Sequence, residues 1–288
     1  MSTDAAIFQG LSWNLRDDVH QLFVFHFMVN ALAAGTAVAV MAGAVGWFMV
    51  LRRQTFAGHT LAVTAFPGAA AASLAGAPVA VGYFGACALV ALVLGAVSAD
   101  RTGNVSGESA ATGSVQALAL ALGFLFVQLY HGLLNGVGAL LFGTFLGIGD
   151  GEVRTLVAVA AATLVLLALG ARPLLFASVD AEVAQAAGVP VRALSFGFLL
   201  LLGLSVAATS QITGALLVFA LLVAPAATAQ LLTGRPLAGL LLSIAIGLVV
   251  TWLGLALAYF SIYPVGFYVT SLAFAVYVAA RIWRAAAR

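Results

Sequence analysis

Nine carboxylates and four histidines are the side chains of this 288-residue chain best suited to move a proton or hold a metal. The carboxylates are Asp4, Asp17, Asp18, Asp100, Glu108, Asp150, Glu152, Asp180 and Glu182, and each falls in a stretch that reads as a loop or a helix end. Ionisable groups in the middle of a bilayer are costly and mark ion pathways. An interior without acids therefore argues against a proton- or sodium-coupled carrier, an intramembrane protease and a di-metal hydrolase. The histidines are His20, His26, His59 and His131. His59 begins the second apolar segment and is followed by Thr60 and Thr64; its imidazole suits zinc, copper or iron, whereas manganese prefers oxygen donors. The bland alternative for His59 is an interfacial group at a helix end. His26, on the first long segment, can share a lumen with His59 or serve as a hydrogen-bonded packing group. His131, near Asn135, reads as interfacial, and His20 as solvent-facing in a stretch that can draw cations to an external mouth. For Asn30, Gln128, Thr209, Gln211, Thr228 and Gln230, packing between helices is the default and pore lining the alternative. No Ser/His/Asp set or Cys/His pair stands at a telling spacing, so nothing equips the chain as an enzyme.

The elements that must position these groups are membrane helices. The chain is 64% hydrophobic and only 7% charged, against roughly 25% in soluble domains. Five or more apolar runs approach the ~20 residues that cross a bilayer as helix. Apolar runs and turn signals together predict an all-α, polytopic bundle of about nine helices in a single domain spanning residues 1–288. They lie near residues 22–50, 59–75, 78–98, 114–135, 153–170, 193–210, 212–232, 237–260 and 266–284. All 11 basic residues are arginine, so there is neither a P-loop lysine nor a Schiff-base lysine. The arginines are dispersed, which argues against nucleic acid as a partner. With the loop after the first long helix placed in the cytoplasm, Arg52, Arg53, Arg101, Arg172, Arg192, Arg235, Arg281, Arg284 and Arg288 are inside and Arg16 and Arg154 outside. This bias predicts an external N-terminus and an internal C-terminus. The first twenty residues do not read as a cleaved signal peptide. The lone Cys87 reads as a small core residue.

Between two apolar runs lies a polar island, Arg172 to Arg192. Ser178 or Asp180 can cap a short helix over residues 180–187, Gly188 can end it in a left-handed conformation, and Pro190 forbids its continuation. A short amphipathic helix held just outside the membrane suits a grip for a soluble partner. Two breaks attract notice elsewhere: Pro67-Gly68 inside the second segment, and the tight connection Thr209 to Gly214. Freed backbone groups at membrane depth are tolerated where protein or a watery cavity satisfies them. Thr60, Thr64, Pro67 and Gln211 are the candidate pathway-lining residues.

Several stretches in one order, over about residues 40–270, resemble the permease subunits of ABC importers for zinc, manganese and iron. Arg52-Arg53, then Gly58 through Pro67-Gly68, is similar to that family's Arg-Arg turn and Gly-Asp-x-Leu-Ser-His-x-x-x-Pro-Gly motif. Glu108 to Gly113 resembles its Glu-Asp-x-x-x-Gly, and Leu141-Phe-Gly143 its Leu-Phe-Gly. Pro173 to Val191 resembles the coupling segment, Gly214 through Ala229 the Gly-x-Leu-Leu-Val signature with its Pro-Ala-x-Thr-Ala, and Pro264-Val-Gly266 the late Pro-x-Gly. The resemblance implies a permease in the cytoplasmic membrane that moves a divalent metal through the centre of a dimer of two permease copies, a homodimer by expectation. It implies a separate cytoplasmic ATP-binding subunit that holds the ATP, an extracytoplasmic solute-binding protein, and no cofactor on this chain. Ser178, Asp180, Glu182, Gln185 and Gly188 would couple to the ATPase, and His59 with His26 would meet the metal. The family's pathway aspartate is His59 here and its histidine is Val63. A metal chelate or a non-metal cargo on the same scaffold is thus an alternative, and a stand-alone secondary carrier is another.

Overall fold

The computed structural model describes residues 15–99, 105–129, 147–214 and 217–287. Asp4, Asp100, Arg101, His131, Asn135, the Leu141–Gly143 motif and Arg288 lie outside the described residues. Eleven helices are described: α1 (Leu15–Val24), α2 (His26–Leu51), α3 (Thr55–Leu74), α4 (Val79–Ala99), α5 (Val105–Leu129), α6 (Asp150–Val179), α7 (Ala181–Ala186), α8 (Val191–Thr213), α9 (Val218–Leu232), α10 (Pro236–Tyr259) and α11 (Val265–Ala286). Seven of them are long and apolar enough to cross a membrane. Nine correspond one to one with the nine expected segments. The short α7 falls in the polar island where a short helix was expected, and α1 is additional.

Several expected boundaries are corrected. A break at Phe25 separates α1 from α2. The second segment is not interrupted: α3 runs unbroken through Pro67 and Gly68. Proline removes one backbone donor, but Pro67 and Gly68 pack closely against Gly123 and Gly82, and that packing holds the helix together. The turn expected at Thr209 to Gly214 comes later, because α8 continues through Thr213 and ends at Gly214 with φ +71°. The fifth segment also overruns its expected end: α6 carries on through Arg172 and Pro173 to Val179.

Small residues set the spacing of the bundle. Helix α10 runs antiparallel to α2 in steady register. A Cβ on Gly239 would meet Trp47, one on Gly43 would lie 2.8 Å from Ile244 Cα, and one on Gly247 would lie 3.3 Å from Ala39 O. The Ser243 hydroxyl donates to Gly43 O (2.8 Å), and the Trp252 indole donates to Thr36 Oγ1 (2.9 Å). Helices α3 and α4 meet at Gly68 and Gly82, where a Cβ on either would fall within 2.3 Å of the other's carbonyl oxygen. Helix α4 in turn packs on α8 through Gly95 against Phe196 and Gly203 against Cys87. Cys87 is buried, as expected of a core residue. Helix α9 packs closely against α2. Leu222 sits on Gly46 while Gln230, two turns further on, bonds Trp47 O (2.9 Å).

Several buried and half-buried hydroxyls bond within their own helices, whereas Ser243 bonds across to α2 and Thr163, Ser210 and Thr251 find no protein partner. Thr64, Ser73, Ser205, Thr209, Thr213 and Thr228 each donate to the carbonyl four residues earlier, as Ser and Thr do when water is excluded. Leu89, Leu118, Phe124, Leu169, Leu237 and Phe274 are among the large apolar side chains left on the outside, which lipid or another protein surface must cover. Arginine marks one end of the bundle: Arg52 and Arg53 follow α2, Arg192 opens α8, Arg235 caps α10 and Arg284 lies in the last turn of α11. Helix α7 is at this end.

Candidate functional site

The arginine-rich end is built around two tight chain reversals. Helix α2 stops in a Schellman motif: Arg53 N–H donates to Val50 O (3.1 Å) and Gln54 N–H to Met49 O (3.0 Å), with Arg53 at φ +57°. Arginine in this left-handed position gives up roughly 1–2 kcal/mol of backbone energy that glycine would not. Helix α7 ends in the same way. Gly188 N–H donates to Gln185 O and Val189 N–H to Ala184 O, with Gly188 at φ +84°. At its start Asp180, in extended conformation, accepts from Val183 N–H (3.0 Å), so Asp180 is the N-cap. Ser178 is not a cap, and this corrects one of the two alternatives. It lies inside the last turn of α6, where its hydroxyl donates to Leu174 O. Glu182, Gln185 and Gly188 are exposed, together with Val179 and Val183, and only Ala184 of α7 is buried. The turn and the cap hold a short helix at the end of the bundle with a mixed polar and apolar exposed face.

Arg52 spans these two reversals. Its Nη1 donates to Ser178 Oγ (3.1 Å) and its Nη2 to Ser195 Oγ (2.7 Å), while its guanidinium carbon lies 5.5 Å from the centre of the Phe198 ring. Burial pulls its pKa below the usual guanidinium value, but arginine keeps its proton in proteins. Sequence reasoning gave Arg52 only a topological role. Its place in the Arg-Arg turn was the available signal, and its partners, more than a hundred residues away, left none.

His59 stands one turn into α3. Its ring meets Phe219 of α9 edge-on with centroids 4.9 Å apart, and its Nδ1 is buried without a hydrogen-bond partner. The neighbouring Gly58 packs on the Met49 sulfur near the far end of α2. His26 opens α2, so at 1.5 Å per residue the two histidines are separated by roughly 35 Å along the helix. They cannot share one metal ion, and the expectation of a joint site is corrected. His26 belongs instead to a polar cluster at the opposite end. Its Nε2 lies 2.7 Å from Asp150 Oδ1, and the same oxygen accepts from Asn30 Nδ2 (2.7 Å), which also donates to Ile148 O (3.2 Å). This cluster ties the start of α6 to the start of α2. Among the described residues, no group of three His, Cys, Asp or Glu side chains is arranged to hold a metal ion.

Three of the four candidate lining residues, Thr60, Thr64 and Pro67, share the face of α3 toward α5, and Gln211 is on α8. Thr60 donates to Gln116 Oε1 of α5 (3.1 Å). Thr64 and Pro67 line an apolar cavity of about 400 Å³ with residues of α4 and α5, including Ala86, Leu118 and Phe126. Gln211 lies near the end of α8 with its amide nitrogen buried and unpartnered.

A sequence profile described as the ABC 3 transport family matches residues 24–284, nearly the whole chain. The chain belongs to that family. It is a multi-pass membrane permease, and a permease of this kind works with an ATP-hydrolysing subunit and a substrate-binding protein. It is 31% identical over 244 residues to the manganese import system permease protein ScaB of Streptococcus parasanguinis, covering 82% of each chain. It is 32% identical over 243 residues to the chelated iron transport system membrane protein YfeC of Yersinia pestis, covering 84% of this chain and 80% of the other. Among solved structures, PsaBC from Streptococcus pneumoniae in complex with Fab superposes with a TM-score of 0.81 at 28% identity, covering 92% of this chain and 94% of that one.

Proposed function

We propose that this permease imports a divalent transition metal across the cytoplasmic membrane, with a cytoplasmic ATPase seated on α7 and a solute-binding protein delivering cargo at the opposite end. The observation that carries this reading is the match over more than four fifths of the chain to permeases named for manganese import and iron transport. The arginine-rich end, with α7, faces the cytoplasm, in keeping with the positive-inside rule, so the N-terminus is external and the C-terminus internal. Two copies form a homodimer with the pathway between them. The chain binds no cofactor of its own, and ATP is held by the partner. His59 offers the cargo one nitrogen donor beside Phe219, and Thr60, Thr64, Pro67 and Gln211 line the approach. Asp180, Glu182, Gln185 and Gly188 form the ATPase contact, with Ser178 behind them. An imidazole at His59, where the family resemblance leads one to expect a carboxylate, favours zinc or iron over manganese.

A second reading has an observation of its own. His59 and Val63 replace the acid and histidine that the family resemblance leads one to expect, which suits a metal chelate needing no ligand from the protein. Both are tested by ATPase stimulation of the complex in lipid, with its binding protein, across zinc(II), manganese(II) and iron(II), in wild type and His59→Ala. Stimulation by one metal that vanishes in the variant supports the first reading. Stimulation by none refutes free metal as cargo and leaves the chelate.

A further inference from the structure

Helix α7 hangs between α6 and α8, and one side chain from outside that hairpin holds both of its arms. Ser178 stands two residues before the N-cap Asp180, and Ser195 stands near the start of α8. Arg52 donates to both hydroxyls and lies against Phe198, one turn further along α8. A planar guanidinium can make these bonds together because its donors are fixed in a fork. The Ser178 hydroxyl passes its own proton back to Leu174 O, which fixes it as an acceptor toward Arg52. On its other side Arg52 is the C-cap of α2 and precedes the left-handed Arg53. Five residues separate that residue from His59, and Gly58 is seated on Met49. The bonds thus form one continuous path from the arms of α7 to the turn that carries His59.

The same turn contains two buried polar groups without partners, Arg52 Nε and Gln54 Oε1. A buried donor and a buried acceptor two residues apart each call for a partner that the protein groups of this turn do not supply.

We propose that Arg52 is the positioning residue that delivers the displacement of α7 to the α2–α3 turn, so that nucleotide-driven movement of the hairpin shifts His59 in the pathway. This rests on the proposed role of the chain as an ATP-driven importer. Arg52 touches neither nucleotide nor cargo; it acts by keeping α6, α8 and the turn moving as one rigid body.

The experiment uses the complete complex of permease, ATPase and binding protein in proteoliposomes. It reads metal taken up per ATP hydrolysed, with whichever of zinc(II), manganese(II) or iron(II) the wild type carries. In Arg52→Gln the ATPase subunit stays bound and ATP is hydrolysed, but metal moved per ATP falls by at least about fivefold, the lower end of typical coupling between sites. Ser178→Ala with Ser195→Ala, which leaves the arginine in place, lowers the same ratio in the same direction. A purely structural role would lower melting temperature, hydrolysis and uptake together and leave the ratio unchanged. A wild-type ratio in either variant overturns the proposal, and the serine pair decides it should Arg52→Gln fail to fold. Wild-type complex that takes up none of the three metals with ATP overturns the free-metal importer reading itself, and the role of Arg52 falls with it.

Discussion

Replacing Gly46 with alanine tests whether α9 packs on α2 as tightly as the backbone geometry requires. An added Cβ would lie 2.0 Å from Leu222 O and 3.1 Å from Leu222 Cα, whereas ordinary contact begins near 3.4 Å. The obstructing atoms are backbone, so no rotamer change can make room, and α9 must retreat by more than an ångström. Overpacking of this kind costs about 1–3 kcal/mol. The substitution also gains helix propensity, about 0.5–1 kcal/mol, because glycine is a poor residue for a helix interior. Overpacking wins. For a chain of this size the net loss corresponds to a melting temperature lower by roughly 2–6 °C, read by thermal unfolding of the purified permease in one detergent. Gly170→Ala is the control, since a Cβ there meets nothing within 4 Å and only the propensity gain remains. It should melt at or above wild type. Phe219, against His59, lies one turn before Leu222, so Gly46→Ala should also lower metal uptake more than Gly170→Ala does. A Gly46→Ala protein that melts as high as Gly170→Ala would refute the close packing and the position of α9 derived from it.

Loss of the α7 cap in Asp180→Ala should cost about 1 kcal/mol locally and reduce co-purification of the ATPase subunit, whereas Asp180→Asn, still a good cap, should retain it. Gly188→Ala places a Cβ at φ +84° and should weaken the same co-purification through about 1–2 kcal/mol of backbone strain, although the added methyl touches nothing. Ser243→Ala removes the bond to Gly43 O and should lower the melting temperature by roughly 2–4 °C, for about 1 kcal/mol lost, without changing metal moved per ATP. A fall in that ratio would mean that α10 moves in the transport cycle and does not stay fixed to α2.

Features governed by neighbours in the chain were legible in the sequence. Apolar runs gave the nine long segments because burying an unpaired backbone in lipid leaves helix as the workable choice. Asp180 and Gly188 were legible because capping and left-handed ends depend on residues three to five positions away. The failures also have physical causes. Pro67-Gly68 signals a break locally, but Gly123 and Gly82 pack on it and keep α3 whole. Ser178 has the right chemistry for a cap, yet α6 simply extends past it. His26 and His59 looked like a pair only while the length of the first long segment was left out, since one unbroken helix from His26 to Leu51 puts His26 at the end opposite the turn that leads to His59.

The sequence by itself determined that this is a helical membrane permease of a metal-transporting family with a short capped helix between two long apolar segments, since hydropathy, caps and family motifs are all written in short stretches of chain. Tertiary structure alone decided that Asp150 and Asn30 hold His26, that Phe219 faces His59, and that Arg52 joins Ser178 to Ser195. Each of those contacts joins residues far apart in the chain, and it is set by how closely glycine and alanine faces let the helices approach, which no local pattern encodes.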